Sequence, residues 1–188
     1  MVFSSLIFLY AFFSLSLAAY ALCRTQKAQN WVLLVFSLVF YAWGEPVYVL
    51  LMIFSILLFY GCGLAIGRSR DNKTKKIWLT VSVVISLALL AVFKYADFFV
   101  ATVNSVLGSN IPLLGLALPI GISFYTFQCL SYVIDVYRGD VPAQKNPISF
   151  GAYVALFPQL IAGPIVRYVD VARELENRNT TWEDFACG

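Results

Sequence analysis

Apolar residues run in long blocks along this chain, and short polar stretches separate the blocks. Blocks of about 20 apolar residues are typical of helices that cross a bilayer. The pattern therefore predicts an all-α fold, a polytopic membrane protein with several tilted, broken and re-entrant helices. The predicted apolar segments are Met1–Leu22, Trp31–Trp43, Val47–Ile66, Ile77–Phe93, Phe98–Leu107, Leu118–Gly139 and Ile148–Ile165.

Two of these segments are irregular. A helix over Trp31–Trp43 would rise only about 20 Å, against a hydrocarbon core of about 30 Å. It is expected to tilt little, to begin within the loop before it, or to be re-entrant. The segment Ile77–Phe93 is expected to end at Lys94–Asp97. Lys94 and Asp97 form an interfacial ion pair in the simpler interpretation, and a buried functional pair in the alternative. Phe98–Leu107 would then lie along the outer interface.

The segment LPIGISFYTFQCLSYVIDVYRG (Leu118–Gly139) carries polar residues at helical spacing. Because polar groups are costly against lipid, this stripe is expected to turn inward, away from the nearly all-apolar opposite side of the helix. It either packs helices together or lines a substrate path. The candidates for the path are Tyr125, Gln128, Ser131 and Asp135.

Proline and glycine interrupt the last apolar segment, Ile148–Ile165, at Pro158 and Gly163–Pro164. A helix broken twice is a poor simple span, and irregular backbone at membrane depth persists only where protein or a water-filled cavity covers it. A re-entrant wall of a channel is therefore predicted, with Gln159 and Arg167 as further path candidates. Alternatively, Gln159 binds a backbone carbonyl freed near Pro158.

The chain continues with a predicted amphipathic surface helix at Tyr168–Arg178. The capping-box spacing of Thr180 with Glu183, or of Thr181 with Asp184, then predicts the start of another helix. Only four residues follow Asp184. The sequence is therefore expected to be the first part of a longer protein.

Composition excludes several classes of protein. With 61% hydrophobic and 12% charged residues among 188, the chain is too apolar for a soluble domain. The net charge of +3 comes from basic clusters between apolar segments, which indicate topology and not a nucleic-acid surface. The strongest cluster, at 68–76, predicts a cytoplasmic loop, with the amino terminus outside. A contact with phospholipid head groups is a second interpretation of this loop.

The chain contains no histidine, so it cannot supply imidazole chemistry by itself. Its four cysteines are far apart and form no C-x-x-C pair, so neither a metal site nor a disulfide framework is indicated. Asp135 is a general base only by elimination, because Arg138 in reach would favour the charged, weakly basic form. A structural pair between Asp135 and Arg138 is preferred, and no catalytic residue is assigned.

Three motifs, YAWGEPVYVLL, LPIGISFYTFQCLSYVIDVYRG and FPQLIAGPIVRY, together with their spacing, resemble the membrane-bound O-acyltransferase family. The resemblance is to its bacterial branch, which modifies alginate and teichoic acid. It covers essentially the whole chain and implies the amino-terminal part of one membrane domain, residues 1–188. The catalytic histidine of this family lies in the later half, outside this sequence.

The resemblance implies a membrane subunit of a polysaccharide O-acyltransferase, alginate-like, in the bacterial inner membrane. An acetyl group from a cytoplasmic donor such as acetyl-CoA, with no tightly bound cofactor, would pass to an extracytoplasmic protein or polysaccharide. Membrane lipid is the other expected partner, and nucleic acid is not expected. The fragment alone is expected to be inactive. A small transporter or an assembly scaffold without catalytic activity is the alternative, since transporters also use broken helices.

Overall fold

The structure is a computed structural model that describes residues 6–162 and 166–176, and all regular elements there are helical, as predicted. Two stretches have π-helical hydrogen bonding, Phe8–Phe13 and Ala91–Tyr95. The α-helices are α1 Ser14–Leu22, α2 Gln26–Gly44, α3 Tyr48–Arg68, α4 Asn72–Leu90, α5 Ala96–Leu107, α6 Ile122–Arg138, α7 Pro147–Ala155, α8 Phe157–Ala162 and α9 Tyr168–Glu176.

Among the residues that the structure describes, two helical runs are long and apolar enough to cross a membrane. Helix α3 has 21 residues, a rise of about 32 Å. The run Asn72–Leu107 has 36 residues, or about 54 Å, which exceeds the hydrocarbon core of about 30 Å. Both runs leave much apolar surface exposed, as expected for helices that face lipid. The all-α membrane fold predicted from the sequence is confirmed.

Helix α2 begins earlier than its apolar block. Thr25 is the N-cap, and its hydroxyl accepts a hydrogen bond from the Ala28 amide at 3.3 Å. The helix therefore has 19 residues, about 28 Å, instead of the 13 that the apolar block alone predicts. Of the three interpretations of Trp31–Trp43, the one in which the helix begins in the preceding loop is confirmed.

The expected break at Lys94–Asp97 is wrong. The chain stays helical from α4 into α5 through the π-helical turn Ala91–Tyr95. Lys94 and Asp97 form no salt bridge. The Asp97 carboxylate instead accepts hydrogen bonds from the amides of Leu114 and Gly115, at 2.7 and 3.1 Å. Backbone amides freed in the non-helical stretch after α5 thus satisfy the carboxylate, and this stretch folds back along α5.

Helix α6 lies at the centre of the described fold and packs against α3, α4, α7 and α9. Its polar stripe is buried, as predicted, but much of its apolar side is buried as well. Ile122, Cys129 and Val136 on that side are at most 7% exposed. Only a narrow strip near Phe124 and Phe127 is open, at 45% exposure each.

Close packing of α3 on α6 depends on two glycines one turn apart, Gly63 and Gly67. A Cβ atom on Gly63 would lie 2.5 Å from Cε1 of Tyr132, and one on Gly67 would lie 2.6 Å from Cβ of Ala143. Small residues four apart let membrane helices approach closely. This pair therefore brings α3 against Tyr132 of α6 and against Ala143 in the loop that follows α6.

Helices α7 and α8 form the predicted broken segment. Asn146 caps α7 by accepting a hydrogen bond from the Ile148 amide at 3.0 Å. The break falls at Leu156, before the expected Pro158, which sits in the first turn of α8, where proline is tolerated. The second expected break, at Gly163–Pro164, and the helix start at Thr180 or Thr181 lie outside the described residues.

Contacts with α6 show that this segment is re-entrant. The segment leaves the loop after Arg138 and reaches the opposite end of α6, where a Cβ on Gly121 would lie 3.2 Å from the Leu160 side chain. Seven residues later, Arg167 is back near the Arg138 end and binds Asp135. Both ends of the segment therefore lie at the same end of α6. Helix α9, predicted as a surface helix, follows from there.

Candidate functional site

The break between α7 and α8 separates two backbone groups that a continuous helix would pair. The carbonyl of Tyr153 accepts a hydrogen bond from Nε2 of Gln128 at 3.0 Å, and the amide of Phe157 donates to the Ser37 hydroxyl at 3.2 Å. Side chains from α6 and α2 thus satisfy both groups, as a buried break requires. The carbonyl role considered for Gln159 belongs to Gln128.

Asp135 anchors the return of the re-entrant segment. Its carboxylate is 2% exposed and binds the guanidinium of Arg167, whose side chain is 49% exposed. Arg167 also lies 3.8 Å from Oδ2 of Asp140. The expected pair between Asp135 and Arg138 is wrong, because Arg138 is on the exposed last turn of α6 while Arg167 approaches the buried carboxylate directly.

Arg167 and Asp135 form a charged link between the re-entrant segment and α6. Hydrogen bonding to Asp135, and then its charge, raises the pKa of Arg167 above the ordinary arginine value. The second carboxylate oxygen of Asp135, Oδ2, is buried and has no hydrogen-bond partner in the described part of the chain. The pair can therefore hold two segments together and leaves one carboxylate oxygen for a donor.

Buried tyrosines connect the same region, and sequence reasoning missed most of them as site residues. Tyr153 donates to the Val166 carbonyl at 2.9 Å, which ties α7 to the returning chain. Tyr132 accepts from the Gln144 amide at 3.0 Å, and Nε2 of Gln144 donates to the Tyr168 hydroxyl at 2.8 Å. A tyrosine within an apolar run is the only signal that could have identified Tyr153.

Two polar side chains on α6 have no partner among the described residues. The Tyr125 and Thr126 hydroxyls are both fully buried and make no hydrogen bond. Tyr125 is one of the predicted path residues, whereas Thr126 is not among them. Ser131, also predicted, is partly buried and donates to the carbonyl of Gln128 at 3.0 Å, which is a local bond within the helix.

Gln159 lies apart from this row, on a small cavity of about 190 Å³. Its Nε2 is buried and makes no hydrogen bond in the described part of the chain. The cavity lies among α2, α7, α8 and α9, and its walls are largely apolar. It is lined by Leu33, Ala152, Tyr153, Leu156, Gln159, Val171, Glu174 and Leu175.

The structure thus brings Gln128, Asp135 and Arg167 together at the junction of α6 with the re-entrant segment. Tyr125 lies farther along the same helix, and Gln159 faces the other side of the broken pair. Within residues 6–162 and 166–176, no group of three or more histidine, cysteine or acidic side chains could hold a metal ion. The arrangement links α6 to the re-entrant segment through buried polar groups.

Comparison with known proteins shows what the chain is related to. The probable alginate O-acetylase AlgI of Pseudomonas syringae pv. tomato is 42% identical over 193 residues, which cover the whole of this chain and 37% of that protein. The chain is a homologue of alginate O-acetylases. The protein of the same name from Pseudomonas aeruginosa is 43% identical with the same coverage. The resemblance to the membrane-bound O-acyltransferase family is therefore confirmed.

A more distant relative widens the group. The peptidoglycan O-acetyltransferase of Helicobacter pylori is 29% identical, over 98% of this chain and 40% of that protein. The chain spans about two-fifths of the length of these curated relatives. No family model matches the chain. No solved structure matches it either.

Proposed function

We propose that this chain forms part of the membrane subunit of a bacterial polysaccharide O-acetyltransferase, as the amino-terminal part of one membrane domain. Homology along the whole chain to proteins named for O-acetyl transfer carries the proposal. The named polymers differ, alginate in one case and peptidoglycan in the other. An alginate-like polymer is the proposed target, because the relatives named for alginate are the more similar ones.

The proposed reaction takes an acetyl group from a cytoplasmic donor, such as acetyl-CoA, to a protein or polysaccharide outside the inner membrane. Five basic residues against one acidic residue at 68–76 favour a cytoplasmic position for that loop. The amino terminus would then lie outside. Because α6 and the re-entrant segment meet along buried polar groups, together they would form one wall of the path between the two sides.

In this proposal the described residues bind and position, and none is assigned as a catalytic residue. Transfer to a hydroxyl needs a general base with a suitable pKa near the acceptor. Asp135 is bound by Arg167 in a salt bridge. Its role would be to hold the re-entrant segment against α6, while the unpaired Nε2 of Gln159 and the Tyr125 hydroxyl could donate hydrogen bonds to the acetyl donor or to the acceptor.

The test compares two glutamines of the same size in the protein encoded by the natural gene. Gln159→Leu breaks no hydrogen bond of the described structure, so it should leave stability unchanged while lowering acetyl transfer about two- to tenfold, the value of one hydrogen bond. Gln128→Leu leaves the Tyr153 carbonyl unpaired and should lower both stability and transfer. Acetyl content of the secreted polysaccharide is measured by NMR at equal protein level.

A second pair of variants tests the hold on the re-entrant segment. Asp135→Asn should lower acetyl transfer strongly, because the segment loses its charged anchor. Asp140→Asn is the matched control, since Asp140 is 44% exposed and lies farther from Arg167. Unchanged acetyl transfer in both Gln159→Leu and Asp135→Asn would contradict the proposal that α6 and the re-entrant segment form a wall of the substrate path. A wild-type protein that adds no acetyl group to any polysaccharide would contradict the function itself.

A further inference from the structure

A shallow groove of about 540 Å³ runs along the first half of α4, away from the site described above. Its residues recur at steps of three or four, so they share one face of the helix. Two lysines stand at one end, and mostly apolar side chains continue from them. The lining residues are Lys73, Lys76, Ile77, Thr80, Val81, Val84 and Ile85.

No acidic residue within 6–162 and 166–176 forms a salt bridge with the lysine end of the groove. Arg68, Arg70 and Lys75 lie close by in sequence, and Asp71 is the one acidic residue within 68–76. Neither Lys73 nor Lys76 forms a salt bridge with another described residue. The two salt bridges among the described residues both involve Arg167, which lies outside the groove. Excess positive charge beside exposed hydrocarbon surface fits a ligand with an anionic head and an apolar tail.

The apolar part of the groove offers almost no hydrogen-bonding capacity. The Thr80 hydroxyl donates to the Lys76 carbonyl of its own helix at 2.9 Å, so its proton is not available to a ligand. Ile77 and Val84 are 61% and 57% exposed, respectively. From Lys73 to Ile85 the helix rises about 18 Å, close to the depth of one leaflet, about half of the 30 Å hydrocarbon core.

We propose that this groove binds an anionic phospholipid of the cytoplasmic leaflet. The phosphate lies between Lys73 and Lys76, and one acyl chain follows the apolar face as far as Ile85. Ordinary bilayer lipid would cover the apolar face whatever its head group; the two unpaired lysines make the site selective for negative charge. This proposal depends on the membrane orientation proposed above but not on acetyl transfer.

The test measures lipid retained by the purified full-length protein. The protein is placed in micelles with phosphatidylglycerol or phosphatidylcholine of identical acyl chains, and bound lipids are counted by native mass spectrometry. Wild type should retain phosphatidylglycerol about 30-fold more tightly, as expected for two lysines near a membrane surface. Lys73→Gln/Lys76→Gln should lose this preference. Lys75→Gln, which removes one positive charge next to the groove but outside its lining, should keep most of it.

Several results would overturn the proposal. Equal retention of both lipids by the wild type would mean that the groove does not select anions. An effect of Lys75→Gln as large as that of the double variant would indicate diffuse attraction by the loop. A photo-reactive residue at position 84 that crosslinks to protein and not to lipid would show that a polypeptide covers the groove. The two proposals can be separated: unchanged acetyl transfer in Gln159→Leu and Asp135→Asn, together with selective retention of phosphatidylglycerol, would contradict the proposed path and support the lipid site.

Discussion

Replacing Gly63 by alanine should destabilise the protein, because the new methyl group has no space. An ideal Cβ at this position lies 2.5, 2.6 and 2.8 Å from Cε1, the hydroxyl oxygen and Cζ of Tyr132, shorter than real Cβ contacts. The Tyr132 ring cannot move aside easily. It is fully buried, its ring centre lies 4.5 Å from that of Phe150 and 4.9 Å from that of Tyr168, and its hydroxyl is bound by the Gln144 amide.

Overpacking of this kind costs about 1–3 kcal/mol. For a domain of roughly this size, each kcal/mol shifts the melting temperature by about 2–4 °C, so a fall of about 2–12 °C is expected. The assay is thermal unfolding of the detergent-purified protein, followed by tryptophan fluorescence. Gly61→Ala is the control, because nothing lies within 4 Å of its new methyl group. Its melting temperature should stay within about 1 °C of wild type. Membrane helices persist in the denatured state, so the higher helix propensity of alanine favours the folded and denatured states almost equally.

A double variant isolates the clash from other effects of the substitution. In a Tyr132→Leu background, Gly63→Ala should cost less than half of what it costs in the wild type, since the atoms that it meets have been removed. The reasoning is refuted if Gly63→Ala melts together with Gly61→Ala, or if its cost is unchanged in the Tyr132→Leu background.

Three further substitutions each remove one or two hydrogen bonds. Tyr132→Phe should lower the free energy of unfolding by about 1–3 kcal/mol, because the buried Gln144 amide loses its acceptor; equal stability in a denaturant titration would contradict this. Asn30→Leu should cost at least as much, because its amide joins α2 to both α7 and α9, and an unchanged denaturation midpoint would argue against that junction. Asp97→Ala should speed hydrogen exchange of the amides at 114–115 about two- to tenfold, whereas unchanged exchange would mean that these bonds are not maintained in solution.

Local pattern sufficed for the helices and for the broken segment. Apolar blocks predicted nearly every helix, and proline in the last block predicted an interruption that the structure places at Leu156. The start of α2 was missed because Thr25 and the polar residues after it look like loop until the cap is recognised. The prediction of a break after α4 is wrong because it assumes that Lys94 and Asp97 mark the membrane interface. Asp97 instead accepts hydrogen bonds from the amides of Leu114 and Gly115.

Partners of the site residues could not be predicted, since they depend on contacts between distant segments. Asp135 has Arg138 on the next turn of its own helix, but a residue 32 positions later binds it. Gln159 stands beside the broken backbone, yet Gln128 and Ser37 satisfy the freed groups from other helices. Sequence spacing identifies neighbours on one helix, and it carries no information about which helix lies opposite.

Gln144 before α7 and Arg167 after α8 contact Tyr132 and Asp135, in the same half of α6. This placement bears on how membrane crossings are counted. Because the re-entrant segment returns to the end of α6 from which it left, it contributes an even number of crossings, and α9 lies on the same side as the loop after Arg138. A hydropathy count that takes this apolar block as one span would invert the sidedness of every later residue. Topology reporters placed in that loop and in α9 should therefore give the same signal.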